Sequence, residues 1–313
     1  MPTARTEEFY NIAESDMGQL KARAADISGY NTIRNPDQYE IDWAPFYREG
    51  DRRTDELREA VRTELNVLYG DHEAKMLDIY YPDGKLENAP VFIFLHGGAF
   101  REGHPRHYGY VGRPYVDNGV IFICAGHRMS PELVYPDTAV DIAELVGWVY
   151  HNIGSRGGNP RSIYLGGHSS GATVSALLSV RDDWQAGVRV PVDVLRGIVL
   201  SGATYDFRED FPGNLVSDVS RREEASAICN MQRVVPEAVF TFGVNEINRG
   251  DPTRFQRLAR PLAEAMSKAG AKVTVIPLQS ANHHGTCEAI CDQSGPVFPA
   301  ALGMMLANSE AGN

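Results

Sequence analysis

From about residue 70 onward, short apolar runs recur along the chain, separated by longer stretches of mixed character. Seven of them stand out: KMLDIYY, VFIFLH, VIFICA, SIYLGG, GIVLSG, VFTFG and KVTVIPL. Most are apolar at successive positions, the pattern of strands covered on both faces, provided helices lie between them. After Pro136, residues Ala139, Val140, Ile142, Ala143, Val146 and Val149 share one broad face, with Asp137, Asp141 and Glu144 opposite, which predicts a helix. A second helix is predicted to open at Asp251 and Pro252 and to run through Phe255, Leu258, Ala259 and Leu262, with Pro261 placed to kink it. Strands alternating with helices predict a mostly parallel α/β sheet with helices on both faces, where ligands bind beyond the carboxyl ends of the strands.

The first 65 residues differ. They are charged and dotted with aromatics, as in EIDWAPFYREGDRRTDELREAV, with too little continuous apolar content to build a core alone. We therefore expect residues 1–65 to form a helical cap or arm, with Trp43, Phe46 and Tyr47 covering a surface of the 66–313 catalytic domain. At 313 residues the chain suits one large domain. Its 43% hydrophobic and 23% charged residues are near the averages of globular chains and disfavour disordered and membrane classes, and no apolar run is long enough to span a bilayer. The N-terminus carries acids and lacks a secretory apolar segment, so the expected location is cytoplasmic. With 30 basic against 41 acidic residues, the net charge of -11 disfavours nucleic acid and anionic membranes as partners. A small-molecule substrate fits better, and homo-oligomerisation is left open. The four cysteines form no secreted framework and are expected to be reduced.

Chemistry concentrates in two glycine motifs. Gly167, His168, Ser169, Ser170 and Gly171 spell GxSxG between the run SIYLG and the helix-compatible ATVSALLSV. A serine on a tight strand-to-helix turn is strained and exposed, and small neighbours let adjoining segments approach. Upstream, His96, Gly97, Gly98, Ala99 and Phe100 follow the run VFIFL. Their loop can aim the backbone N–H groups of Gly97, Gly98 and Ala99 at a carbonyl oxygen, alongside the N–H of Ser170, as an oxyanion hole. His96 is expected to hold that loop. A serine hydroxyl needs a histidine base and an orienting acid, and the only histidines after Ser169 are His283 and His284. Either can be the base on these grounds. His283, His284, Cys287 and Cys291 lie close in sequence, but their spacing fits no common zinc signature. No metal or organic cofactor is expected.

These motifs, with LDIYYP at 77–82 and HRMSPE at 127–132, resemble those of the esterase and arylformamidase branch of the α/β hydrolases, which includes hormone-sensitive-lipase-like esterases and kynurenine-formamidase-like enzymes. The resemblance covers about residues 66–291. It implies the α/β-hydrolase fold and a serine hydrolase acting through an acyl-enzyme. It places the base at His283, with His284 where an aromatic is usual. It places the acid three residues past Gly243, at Glu246, where aspartate is commoner; Asp251 is the competitor, with a ready alternative role as a helix cap. Phe100, His168, Tyr205, Ile247 and His284 flank the implied site, and Phe100, His168 and His284 are expected to touch substrate. The expected reaction is hydrolysis of a small carboxylic ester; an aryl formamide or other activated amide is the alternative, and a non-catalytic ligand receptor of the same fold the distant one. The stretch at 205–226 is short and charged, which points to short acyl groups.

Overall fold

A computed structural model describes residues 43–209, 215–216, 218–244, 246 and 251–310. The expectations for residues 1–42, for Ile247 and for part of the 205–226 stretch therefore lie outside the described residues. Eight strands form one sheet: β1 (Thr63–Leu68), β2 (Met76–Tyr80), β3 (Ala89–Leu95), β4 (Ile121–Ala125), β5 (Gly158–His168), β6 (Leu195–Ser201), β7 (Glu237–Gly243) and β8 (Lys272–Leu278). Their order is β1-β2-β4-β3-β5-β6-β7-β8. The β1–β2 and β2–β4 pairs are antiparallel and the remaining pairs parallel. The seven runs seen in the sequence correspond to β2 through β8. β1 was not among them, because TELNVL is a half-exposed edge strand with polar residues on both sides and a bulge at Asn66. It also straddles the expected boundary between residues 65 and 66.

The strands alternate in the way a pleat requires. On β3, Val91, Ile93 and Leu95 enter one core with Ile123, Ile163, Leu165, Ile198 and Leu200, while Phe92 and Phe94 enter a second with Phe122, Tyr164, Tyr115 and Met305. The helices that flank the sheet here are α1 (Trp43–Ala60), α2 (Ala139–Asn152), α3 (Ser170–Ser179), α4 (Arg254–Lys268), α5 (His283–Glu288) and α6 (Val297–Glu310). Helices α2, α3 and α4 contribute buried residues to the aliphatic core, and α1 and α6 to the aromatic one. Complete burial of one such side chain is worth about 1.5–3 kcal/mol; the central strands are covered on both faces, while the edge strands β1 and β8 stay half-exposed.

The predicted face of α2 holds for Ala139, Ile142, Ala143, Val146 and Val149, but Val140 is exposed and Asp141 is wholly buried. Asp141 accepts hydrogen bonds from Arg128 N at 2.9 Å and Arg128 Nη2 at 2.6 Å, with Lys75 Nζ 3.8 Å away. These partners compensate its desolvation, and they come from segments that periodicity does not see. Helix α4 also starts later than predicted, at Arg254, and runs through Pro261.

Candidate active site

The site lies where β3, β5 and β7 end. β5 delivers Ser169 onto the turn into α3 with φ 54° and ψ −122°. For a non-glycine residue this conformation costs about 1–3 kcal/mol. It persists because both sides of the turn are fastened: Ser169 N donates to Ser201 O at 2.9 Å, and Thr173 N donates to Ser169 O at 2.9 Å. Gly171 lets α3 lie against the end of β3, since a Cβ there would stand 2.2 Å from Leu95 O. Ser170 is the first residue of α3, so its N–H has no partner within the helix.

The segment after β3 turns back over this serine. Gly98 has φ 126°, and Ala99 and Phe100 also have positive φ. Only glycine suits position 98, where a Cβ would collide with Glu102 O. His96 Nδ1–H donates to Gly97 O at 2.7 Å and its ring stacks on His127, which fixes the loop's entry. Burial holds the His96 pKa well below the ordinary imidazole range, with His127 adding to the effect. Its ring is therefore neutral at physiological pH.

The segment after β7 and the start of α5, which follows β8, supply the other two groups. His283 Nε2 lies 3.0 Å from Ser169 Oγ, and His283 Nδ1 is hydrogen-bonded to Glu246 Oε1. The second carboxylate oxygen of Glu246 accepts from Gly243 N at 3.0 Å. Because a carboxylate only accepts, Nδ1 carries the proton and Nε2 presents its lone pair to the serine hydroxyl. Glu246 is 1% exposed and His283 3%. Phe255 of α4 stacks on the imidazole at 5.2 Å and 5°, and Trp43 of α1 meets it edge-on at 5.7 Å. Asp251 lies elsewhere: its carboxylate accepts from Thr253 N at 2.8 Å and from Arg257 Nη2 at 3.1 Å. Thr253, not Asp251, occupies the N-cap position of α4. The bonds to Thr253 and Arg257 hold the Asp251 pKa below the usual carboxylate value.

The three residues expected to touch substrate have side chains given over to protein contacts. Phe100 is 1% exposed and stacks on Tyr135 at 4.7 Å. His168 is wholly buried, with Nε2 2.9 Å from His283 O. His284 sits between Phe46, stacked at 4.5 Å, and Trp43, edge-on at 4.3 Å. Tyr205 is buried, and burial and Glu246 together push its hydroxyl pKa far up. Phe255 was legible only as a periodic core position, and nothing in the sequence marked it as the platform beneath the imidazole.

Helix α1 reaches this region through more than its aromatics. Arg53 Nη1 pairs with Glu288 of α5 at 2.8 Å and its guanidinium lies 3.9 Å over the Tyr110 ring; Tyr110 Oη donates to Glu288 Oε1 at 2.7 Å. These contacts fasten the short helix that begins at His283. Cys287 and Cys291 face the same two residues, with Cys287 Sγ 3.9 Å from Tyr110 Oη and Cys291 Sγ 4.0 Å from Arg53 Nη2, and burial pushes the Cys291 thiol up to about 12. Among the described residues no three His, Cys, Asp or Glu side chains converge as a metal site, and no helix is long and apolar enough to cross a membrane.

A mostly parallel sheet with a strained serine at the turn after a central strand and a histidine returning from the last strand defines an α/β hydrolase. The chain matches the BD-FAE family model over residues 77–204. It is 24% identical to kynurenine formamidase of Salmo salar over 80% of this chain and 85% of that protein. It is 33% identical to a probable isoprenylcysteine alpha-carbonyl methylesterase of Oryza sativa subsp. japonica, over 36% of this chain and 27% of that one. A truncated carbohydrate esterase from gut microbiota superposes with a TM-score of 0.68 at 18% identity, covering 80% of this chain and 96% of that one. With these similarities the chain is a hydrolase of the α/β-hydrolase fold, similar to esterases and arylformamidases.

Proposed function

We propose that the protein hydrolyses a small carboxylic ester through Ser169, His283 and Glu246. The observation that carries this is the unbroken hydrogen-bond chain from Ser169 Oγ through His283 to Glu246. In the first half-reaction Ser169 Oγ attacks the carbonyl carbon while His283 Nε2 takes its proton, and Glu246 balances the imidazolium. The carbonyl oxygen, now anionic, is received by the N–H groups of Gly97, Gly98 and Ser170. Collapse expels the alcohol, which takes the proton from His283 Nε2. Water then repeats the sequence on the acyl-enzyme and releases the acid. Helix α1 forms one wall of this site, a role supported by the edge of Trp43 against His283 and His284.

Hydrolysis of an aryl formamide is the second reading, favoured by the similarity to kynurenine formamidase across most of both chains. It uses the same steps, with an aromatic amine leaving in place of the alcohol. Labelling with a fluorophosphonate tests the nucleophile: the wild type is expected to be modified at Ser169, and Ser169→Ala to fold normally while losing both labelling and turnover. A Ser169→Ala variant with full activity would refute the triad. Relative kcat/KM on aryl acetates and butyrates against an aryl formamide then separates ester from amide. A preference for the formamide by more than about 10-fold, or about 1.4 kcal/mol in the transition state, would reverse the order proposed.

A further inference from the structure

His168 precedes the serine in the chain, is wholly buried, and makes none of the contacts of the proposed reaction. We propose that His168 is a positioning residue for the base: its Nε2–H holds the backbone carbonyl of His283, so that the strand end carrying the nucleophile also fixes the histidine that serves it. This rests on the Ser169–His283–Glu246 assignment above and adds to it a residue acting through His283.

The hydrogen-bond pattern sets the tautomer. His168 Nε2 is 2.9 Å from His283 O and 3.2 Å from Thr286 Oγ1. A carbonyl oxygen only accepts, so Nε2 carries the proton. Nδ1 is then a bare lone pair; it is buried without a hydrogen-bond partner among the described residues. Beside it lies Gly97, where a Cβ would stand 3.0 Å away. Thr286 Oγ donates to the same His283 carbonyl at 2.8 Å, and Ser201 Oγ donates to Thr286 O at 2.7 Å. The start of α5 is thus tied to the ends of β5 and β6, the same two strands that hold Ser169 through its bond to Ser201 O.

The electrostatics require His168 to stay neutral while His283 cycles. The two rings are 4.5 Å apart, the other ionisable side chain bearing on His168 is His284, and Glu246 lies beyond His283. A proton on Nδ1 would be a buried donor with no acceptor, and a second positive charge beside the imidazolium of the reaction. Burial, reinforced by His283, holds the His168 pKa well below the ordinary range. A neutral donor at this point steadies the base without competing for its proton. Without it, the carbonyl of His283 loses one of its two side-chain donors, the imidazole loosens against both Ser169 and Glu246, and the imidazolium is stabilised less.

His168→Phe keeps a buried ring and removes the donor, and His168→Gln restores an N–H at the reach of Nε2. For His168→Phe we expect kcat to fall about 10- to 100-fold with KM little changed, and the acid limb of kcat/KM to move to lower pH as Glu246 holds the imidazolium less firmly. His168→Gln should recover most of the loss. A role confined to core packing would lower the thermal midpoint and leave the acid limb in place. Fluorophosphonate labelling of the wild type separates the two levels of inference. Failure to label Ser169 removes the triad, whereas normal labelling with an unshifted acid limb and undiminished kcat in His168→Phe removes only the positioning role. Should His168→Phe not fold, His168→Gln and the imidazole 15N spectrum of the wild type decide. A proton on Nε2 that persists to about pH 5, below the ordinary histidine pKa, supports the proposal. A proton on Nδ1, or titration of His168 above that pH, overturns it.

Discussion

At the scale of single residues, two carboxylates five positions apart are placed for different work. Glu246 accepts from His283 Nδ1 and Gly243 N in a buried setting, whereas Asp251 accepts from Thr253 and Arg257 at the surface. Glu246→Gln replaces an oxygen acceptor by an amide that can also donate, so the imidazole loses both its tautomer and its counter-charge. We expect kcat to fall by about three to four orders of magnitude with little change in thermal midpoint. Asp251→Ala removes surface hydrogen bonds and should cost about 0.5–1.5 kcal/mol of stability while leaving kcat nearly unchanged. Measuring kcat and thermal midpoint on both variants checks the pair. An inactive, stable Asp251→Ala beside a fully active Glu246→Gln would exchange their roles.

Among elements, the decisive junction is where β3, β5 and α3 crowd together. α3 approaches β3 closely enough that position 171 has no room for a side chain: a methyl group would stand 2.2 Å from Leu95 O and 2.6 Å from His96 O. The neighbours are backbone, so relief requires moving either the helix or the loop that carries Gly97 and Gly98. Gly171→Ala is therefore expected to lower kcat by at least about 100-fold, because a shift near 1 Å at the nucleophile is enough for that loss. It should also destabilise the fold, by the overpacking cost of about 1–3 kcal/mol. Steady-state kinetics with a denaturant titration reads both, and a variant of wild-type rate would show that the elbow tolerates displacement. A second junction joins α1 to α5 through Arg53, Glu288 and Tyr110. It lets an N-terminal helix hold the segment of His283 although the two are far apart in sequence.

Over the whole molecule, three of the buried histidines make stability depend on pH. His96, His127 and His168 each have a pKa depressed first by burial. In the unfolded chain each returns to about 6.5. Above that value neither state binds the proton and the stability is complete. As pH falls below it, the unfolded chain takes up protons that the folded one does not, so stability declines toward the folded pKa values by up to about 1.4 kcal/mol per pH unit for each histidine. The thermal midpoint is expected to drop steeply between about pH 7 and pH 5, with proton uptake on unfolding that grows over the same range. A midpoint independent of pH there would mean that these rings are protonated in the folded protein.

Much of this was legible in the sequence because it is local. A strand reveals its pleat in consecutive residues: Val91, Phe92, Ile93, Phe94 and Leu95 face two cores alternately, and either core accepts an apolar side chain. A tight strand-to-helix turn needs small residues within two positions of its bend, so Gly167 and Gly171 announced the strained turn at Ser169. The alternation of apolar runs with helical segments then carried the fold class. What the sequence left open was set by groups remote along the chain. Tertiary packing turned His283 toward Ser169 and gave His284 to Trp43 and Phe46; both are imidazoles in the first turn of α5, and only what packs against each distinguishes them. It buried Asp141 against Arg128 and Lys75, and it paired β1 at the edge of the sheet despite polar residues that conceal a strand. It also turned His168 inward to His283, more than a hundred positions away. A residue's neighbours along the chain fix its backbone and its share of apolar surface. The partner of a buried polar atom is chosen by whichever distant segment the fold brings within hydrogen-bond reach.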